Sequence, residues 1–428
     1  MSLRPETESQ MLRGIQIRIY PNDEQAAYIG RLLGCCRYVY NRLLDFQEKT
    51  FKEEGRGAKF KEVTDFFNRE KVENPFLREV HSKVLQQSRI DLQTAWSNYF
   101  RTLGKTGGMI YGKPTHHKRF KKDSCRFPVD AFMGIHGNRI SLITALKDIH
   151  FKCSRRDERY LNRHQNEVHS VTLRRTGSGK FLCSVLMEDR RIKPLPEVEK
   201  DVGIDLGVKD CAITSDGEKF GNPKALYRYE KKIKRWQRIK DRRRKGSHRT
   251  RKAAAKVAKL HEKVANIRRD FQHKATTRIV RDNQAVYVED LNVAGMMKNH
   301  SLAKAVGDSG MGGFVRMLEY KCKWYGRELY KVGRMFASSQ TSSNCGYQNP
   351  LVRDLKVRTW TCPKCGVEHD RDVNAAVNIL HEGRRIRAMN KVGPSSPEPN
   401  ARGQGNGGAS VPQGTGAAVL GEARKESA

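Results

Sequence analysis

The chain has 428 residues, with 83 Lys+Arg against 47 Asp+Glu and a formal net charge of +36. That length allows two or three domains with ample core, and a charge this large exceeds solubility tuning and points to a polyanionic partner. No run of about 18 apolar residues occurs, and Met1-Ser2-Leu3-Arg4-Pro5-Glu6 opens no signal-type apolar stretch, so a membrane protein is disfavoured and a cytoplasmic location expected.

In chain order, Ile15, Ile17 and Ile19 alternate with polar residues and predict a first strand ended by Pro21. Asn22 followed by Gln25 resembles a capping box, and Ile29, Leu32, Leu33, Cys36, Tyr40 and Leu43 then recur at helical spacing. Leu85, Leu92, Trp96 and Tyr99 give a second helix, with Arg89 and Arg101 on its other faces. Residues 22 to about 105 read as a helical module, followed by a basic loop of Lys113, His116, His117, Lys118, Arg119, Lys121 and Lys122. From about 125 to 192 the pattern turns to β, with turns at His136-Gly137-Asn138 and Gly177-Ser178-Gly179 between runs such as Val168–Leu173 and Phe181–Leu186. Because a strand precedes them, the helices are expected to be an insertion into one β-barrel. From 199 onward strands alternate with helices, as in an α/β domain. Residues 391–428 hold 8 Gly and 4 Pro without periodicity and are expected to be disordered.

Three acidic segments, far apart in the chain, read together as one nuclease site. Val202-Gly203-Ile204-Asp205-Leu206-Gly207 and Ala285-Val286-Tyr287-Val288-Glu289-Asp290 are apolar strands ending in acid. His369-Asp370-Arg371-Asp372-Val373-Asn374-Ala375-Ala376 places acids at the mouth of an amphipathic helix. Carboxylates on neighbouring strand ends and a helix start can hold two Mg²⁺ ions about 4 Å apart, one activating water and one steadying the leaving oxygen. Hard oxygen ligands suit Mg²⁺.

Between the first two acidic strands, residues 224–270 hold 20 Lys/Arg and only 4 acids, including Arg242-Arg243-Arg244-Lys245. Ile233, Trp236 and Ile239, then Val257, Leu260, Val264 and Ile267, form an apolar stripe on either side of Gly246. Two helices in a hairpin are predicted, one face packed and the other positive and free to bind phosphate. An ordinary solvated helix pair would mix its charges.

Of ten cysteines, Cys35 and Cys36 are adjacent and Cys125, Cys153, Cys183, Cys211 and Cys322 stand singly in apolar contexts, as small core residues do. Cys345, Cys362 and Cys365 cluster as a metal candidate. Cys362-Pro363-Lys364-Cys365-Gly366 is half of a zinc knuckle, whose two thiolates reach one tetrahedral ion. The other half, Ser342-Ser343-Asn344-Cys345-Gly346, has Ser342 where a cysteine is needed. A serine hydroxyl is a poor ligand because it must lose a proton of very high pKa. His369 is the nearest histidine in sequence.

The chain resembles TnpB (OrfB), the nuclease family of small bacterial insertion sequences related to type V CRISPR effectors. The resemblance runs in order over about residues 12–385. It is carried by Tyr20-Pro21-Asn22 with Gln25, Cys36-Arg37-Tyr38-Val39-Tyr40-Asn41, Gly203-Ile204-Asp205-Leu206-Gly207 and Val288-Glu289-Asp290-Leu291. It continues through Leu318-Glu319-Tyr320-Lys321, Trp324-Tyr325-Gly326, Ser338-Ser339-Gln340, Cys362-Pro363-Lys364-Cys365-Gly366 and His369-Asp370-Arg371-Asp372 with Asn374-Ala375-Ala376.

What the resemblance implies is a multidomain α+β protein. A wedge-type β-barrel (1–21 and 119–198) would carry an inserted helical recognition module (22–118). An RNase H-like (RuvC) α/β domain (199–390) would follow, including the basic hairpin 224–270 and a zinc-ribbon-like insertion (338–368), then a disordered tail (391–428). By position Asp205, Glu289 and Asp372 match the family's catalytic acids, with Asp370 a helper. The implied function is RNA-guided DNA endonuclease, with Mg²⁺ at the acids and structural Zn²⁺ at Cys345, Cys362 and Cys365. Its partners would be a guide RNA from the element's end and a double-stranded DNA target, with base pairing reading the sequence. Two alternatives remain: a catalytically weak RNA-guided DNA-binding protein, and a DDE-type transposase on the same fold.

Overall fold

The strand that opens the chain, β1 (Leu12–Tyr20), lies in the middle of a sheet whose other members come more than a hundred residues later. The computed structural model describes residues 11–103, 111–118, 123–334, 336–354 and 356–392. After β1 come three helices, α1 (Asp23–Glu54), α2 (Phe60–Glu73) and α3 (Ser82–Thr102). Asn22 and Gln25 exchange both bonds of a capping box at the start of α1. Strands β2 (Ser124–Pro128), β3 (Gly134–His136), β4 (Arg139–Ser141) and β5 (Ile149–Lys152) follow. Helix α4 (Arg155–Arg163), β6 (Val168–Arg175) and β7 (Phe181–Glu188) complete this half.

The sheet order is β2-β6-β7-β1-β5-β4-β3, with β1 antiparallel to both β7 and β5. A β-barrel is expected, but among the described residues β2 and β3 end the order with no ladder between them, so the sheet is a half-barrel. Ile15, Ile17 and Ile19 share one apolar core with Leu33 and Leu43 of α1, Trp96 of α3 and Val185 of β7, so helices and sheet bury one another. Arg89 also departs from expectation. It is buried, stacked 4.6 Å over Phe60 and donating to Thr64 Oγ1 at 2.8 Å.

The second half builds on β8 (Asp201–Asp205), β9 (Asp210–Thr214) and β10 (Lys219–Gly221). The basic stretch forms α5 (Ala225–Asp241) and α6 (His248–Asp282), a hairpin whose second arm runs well past residue 270 and leads to β11 (Ala285–Glu289). Then come α7 (Val293–Met296), α8 (His300–Ser309), α9 (Met311–Tyr325) and β12 (Glu328–Val332). A small ribbon, β13 (Thr359–Thr361) with β14 (Glu368–Asp370), hands the chain to α10 (Arg371–Val392). Helix α10 thus continues past the expected start of the tail at 391; residues 393–428 lie outside the described residues.

This sheet has the order β10-β9-β8-β11-β12, with β8, β11 and β12 parallel. Val202, Ile204, Val286 and Val288 pack on one face against Ile279 of α6 and Phe314 and Leu318 of α9. The alternate residues Ala285 and Tyr287 face α10, beside Ile379. Two glycines allow α10 to lie this close. A Cβ on Gly203 would overlap the Ala376 carbonyl oxygen and sit 2.6 Å from Leu380 N, and one on Gly383 would overlap the Tyr287 ring. Among the described residues no helix is long and apolar enough to cross a membrane.

Candidate active site

Alternation along the two parallel strands decides where the acids go. Asp205 shares the parity of Gly203, and Glu289 that of Ala285 and Tyr287, so both belong to the face that α10 covers. The register Val288↔Ile204 sets Glu289 beside Asp205 at the C-terminal strand ends, about 5 Å apart by the spacing of paired strands. Helix α10 begins at Arg371, so Asp372 sits in its first turn above them. All three acids line one cleft of about 420 Å³, together with Ser338, Arg358 and Arg371.

The electrostatics fit a cation site. Burial, and then the Glu289 and Asp372 carboxylates, push Asp205 up to about 7, against Arg371 and the Leu206 N–H. Burial also raises Glu289, while the Ser338 hydroxyl, donating to its Oε1 at 3.3 Å, works the other way. Arg358 reaches over from the ribbon to Asp372 at 3.4 Å. The donors are carboxylate oxygens, the chemistry Mg²⁺ prefers.

Asp370, the expected helper, is not among the residues lining the cleft. Its Oδ1 accepts from the N–H groups of Asp372 (3.0 Å) and Val373 (3.2 Å), capping α10, while Oδ2 pairs with Lys219 at 2.7 Å. Burial opposes its charge, but Lys219 and those N–H groups win and hold the carboxyl below its ordinary value. Asp290 turns away to Arg334, at 2.8 Å.

The ribbon is fastened to α10 by two asparagines four residues apart. Asn374 donates to Thr341 O (2.7 Å) and accepts from Ser343 N (2.9 Å); Asn378 donates to Ser338 O (2.8 Å) and Thr341 O (2.6 Å). Cys345, Cys362 and Cys365 come together as expected, with their sulfurs within 4.8 Å of one another. The Asn344 side chain, the Val367 N–H and the neighbouring thiols pull Cys365 down to about 6, against burial. The donor set therefore suits a thiophilic ion such as Zn²⁺. The seven other cysteines are free thiols, and all but Cys153 are buried.

The basic surfaces are less uniform than the sequence suggests. Lys231, Lys234, Arg235, Arg238 and Arg242 line a groove of about 430 Å³ along α5. Arg243, Arg244 and Lys245 lie beyond it in the turn, and Arg243 bends back to donate to Arg249 O at 2.7 Å. In the loop after α3, Lys113 pairs with Glu48 and the His116 ring hydrogen-bonds Asp45, so both side chains are already met by α1. Lys118 is exposed; Arg119, Lys121 and Lys122 lie outside the described residues. Sequence reasoning missed Arg358 at the cleft and Lys219 beside Asp370, and it quoted Ser338 without giving it a role. Nothing marks the two cations among 83 Lys+Arg, whereas the Asn374 and Asn378 spacing on one helix face was a usable signal.

Several known proteins are similar to this chain. The family OrfB_IS605, described as "Probable transposase", matches residues 184–300. The "Cas12f1-like, TNB domain" matches 312–379, and a "Helix-turn-helix domain" matches 11–56, which here form one strand and one long helix. A Streptomyces pristinaespiralis protein described as "Putative RNA-guided DNA endonuclease" is 36% identical over 379 residues, covering 87% of this chain and 90% of its own. The Escherichia coli relative InsQ, of the same description, is 28% identical over 398 residues, covering 89% and 94%. The structure of a Cas12f1–sgRNA–target DNA complex aligns with TM-score 0.49 at 15% identity, covering 84% of this chain and 83% of that one. On the strength of the Streptomyces match, which spans nearly all of both sequences, the chain belongs to the TnpB (OrfB) family.

Proposed function

We propose that this protein is an RNA-guided DNA endonuclease encoded by a transposable element, hydrolysing phosphodiesters at Asp205, Glu289 and Asp372 with Mg²⁺. The observation that carries the reading is the meeting of these three acids in one cleft, with Asp205 pushed up to about 7 by burial and by the other two. Such mutual repulsion is relieved by a cation, and a site this anionic in a chain of net charge +36 is not a general surface property. Mg²⁺, when bound, would supply the charge that activates water and stabilises the leaving oxygen. Asp205 must give up its proton to serve as a ligand, Ser338 orients Glu289, and Asp370 fixes the helix turn that presents Asp372.

The second half is read as an RNase H-like nuclease domain, a reading supported by its strand order and by acids at adjacent parallel strand ends. The half-barrel and helices α1–α3 would form the wedge and recognition parts, 1–21 with 119–198 and 22–118. The α5 groove and the adjoining turn would neutralise phosphates of a guide RNA or its heteroduplex with target DNA.

The test is cleavage of a matched duplex by protein co-expressed with RNA from the element's end. Asp205→Ala should abolish cleavage while RNA and target binding stay near wild type. Cleavage at the wild-type rate by that variant would sink the assignment. Cutting without any RNA would sink the guidance, and joining of DNA ends would favour the transposase that the OrfB_IS605 description names.

A further inference from the structure

The two knuckles of the ribbon are built alike, although only one has both cysteines. In the second, Cys362 N donates to Val367 O (2.9 Å) and Gly366 N to Cys362 O (2.9 Å). In the first, Ser342 N donates to Tyr347 O (2.8 Å) and Gly346 N to Ser342 O (2.9 Å). Gly366 and Gly346 even share the left-handed conformation, at φ 70° and 73°. Ser342 therefore occupies the position that corresponds to Cys362, and its Oγ lies 3.8 Å from Cys365 Sγ. The backbone is that of a four-ligand site with one donor changed.

A neutral hydroxyl at that point is a weak ligand beside three thiolates, but the chain places a better donor behind it. His369 Nε2 lies 2.9 Å from Ser342 Oγ, and both residues are buried, at 1% exposure for Ser342 and 7% for His369. The imidazole comes from β14, opposite Trp360, whose ring stands 4.8 Å away and closes its far side. Neutral imidazole binds Zn²⁺ without losing a proton, and Cys₃His is an ordinary structural donor set. As the chain stands, Nε2 is spent on the Ser342 hydroxyl; ligation trades that bond for the metal. Ser342 is then left to donate to the Cys365 thiolate, which it already neighbours.

We propose that His369 supplies the fourth ligand of a Cys₃His zinc site with Cys345, Cys362 and Cys365, taking the place of the thiolate that Ser342 lacks. This has a structural consequence. His369 is followed directly by Asp370, the cap of α10, so the metal would anchor the strand that leads into the first turn of that helix. The proposal stands apart from the nuclease reading, since it concerns metal content and not cleavage.

The experiment uses the full-length wild-type chain purified with zinc, so it does not depend on a variant folding. Zinc K-edge X-ray absorption should give one zinc per chain with three sulfurs and one nitrogen, and imidazole multiple scattering. Losing a partner of a ligand already costs about 10–100-fold in metal affinity. His369→Ala should therefore weaken zinc by more than about 100-fold against a chromophoric chelator. His369→Cys should restore tight binding, and Ser342→Ala should change it less than about tenfold, the low end of that range. Three sulfurs with one oxygen, zinc retained in His369→Ala but lost in Ser342→Ala, or no zinc in the wild type would each overturn the proposal.

Discussion

Asp205→Asn should stabilise the metal-free protein while destroying its chemistry. Asp205 is pushed up to about 7 in the fold, from an ordinary 3.8, because burial and then Glu289 and Asp372 disfavour its charge. Between these two values the unfolded chain has released a proton that the folded chain keeps. Stability therefore falls as pH rises through that window and levels off above about 7. A gap of roughly three pH units corresponds to about 4 kcal/mol. Contact with cleft water lowers the expectation to about 2 kcal/mol or somewhat more, still a large share of a protein's stability. Asparagine keeps the shape and carries no charge, so it escapes this cost. In EDTA at pH 8 the variant should melt a few degrees above wild type, with the difference shrinking toward pH 4. Millimolar Mg²⁺ should then raise the melting of wild type and not of the variant, because only a competent site gains stability by mass action. A variant that melts at or below wild type at pH 8 in EDTA, with no trend in pH, would refute the argument that these acids repel one another.

Three further outcomes follow from the structure. Gly203→Ala should push α10 outward by about 1 Å, and if Asp372 acts as proposed a displacement of that size can cost about 10²-fold in rate; target cleavage measured beside RNA binding tests it, and an unchanged rate would mean that the helix contact does not position Asp372. Asn378→Ala leaves the Ser338 carbonyl without that donor and should cost about 1–3 kcal/mol in chemical denaturation, with faster proteolysis of the 338–368 segment. Neutralising Arg242, Arg243, Arg244 and Lys245 together should flatten the slope of log affinity against log salt on duplex by up to about 3–4 units. Because only Arg242 lines the α5 groove, a change nearer 1 would show that the groove, and not the turn, holds phosphate.

The parts of the site that rest on local pattern were readable without coordinates. Short apolar runs ending in Asp205 and Glu289 marked the strands, the Asn22 and Gln25 pair marked the start of α1, and the C-x₂-C marked the knuckle. What escaped depends on contacts between distant segments. Arg358 meets Asp372 only because β13 and β14 pair, and Lys219 meets Asp370 across 151 residues. Arg89, expected on another face, shares the helical phase of Leu85, Leu92 and Trp96, and Phe60 and Thr64 on α2 cover its charge. Barrel closure failed for a similar reason. Alternation marks which residues form strands, and only the ladders show that β2 and β3 remain edges.

The central position of β1 also bears on the order in which the chain can be completed during synthesis. Its apolar face is made first, yet β7, which pairs with it along Leu12–Ile19, ends at Glu188. At about 5–20 residues per second, the strand must wait on the order of ten seconds or longer for that partner to leave the ribosome. Helices α1 to α3 are synthesised in the interval and share the same core, so they can cover Ile15, Ile17 and Ile19 before the ladder forms. The inserted module would thus act as a temporary escort for a strand that would otherwise present an unpaired, aggregation-prone edge.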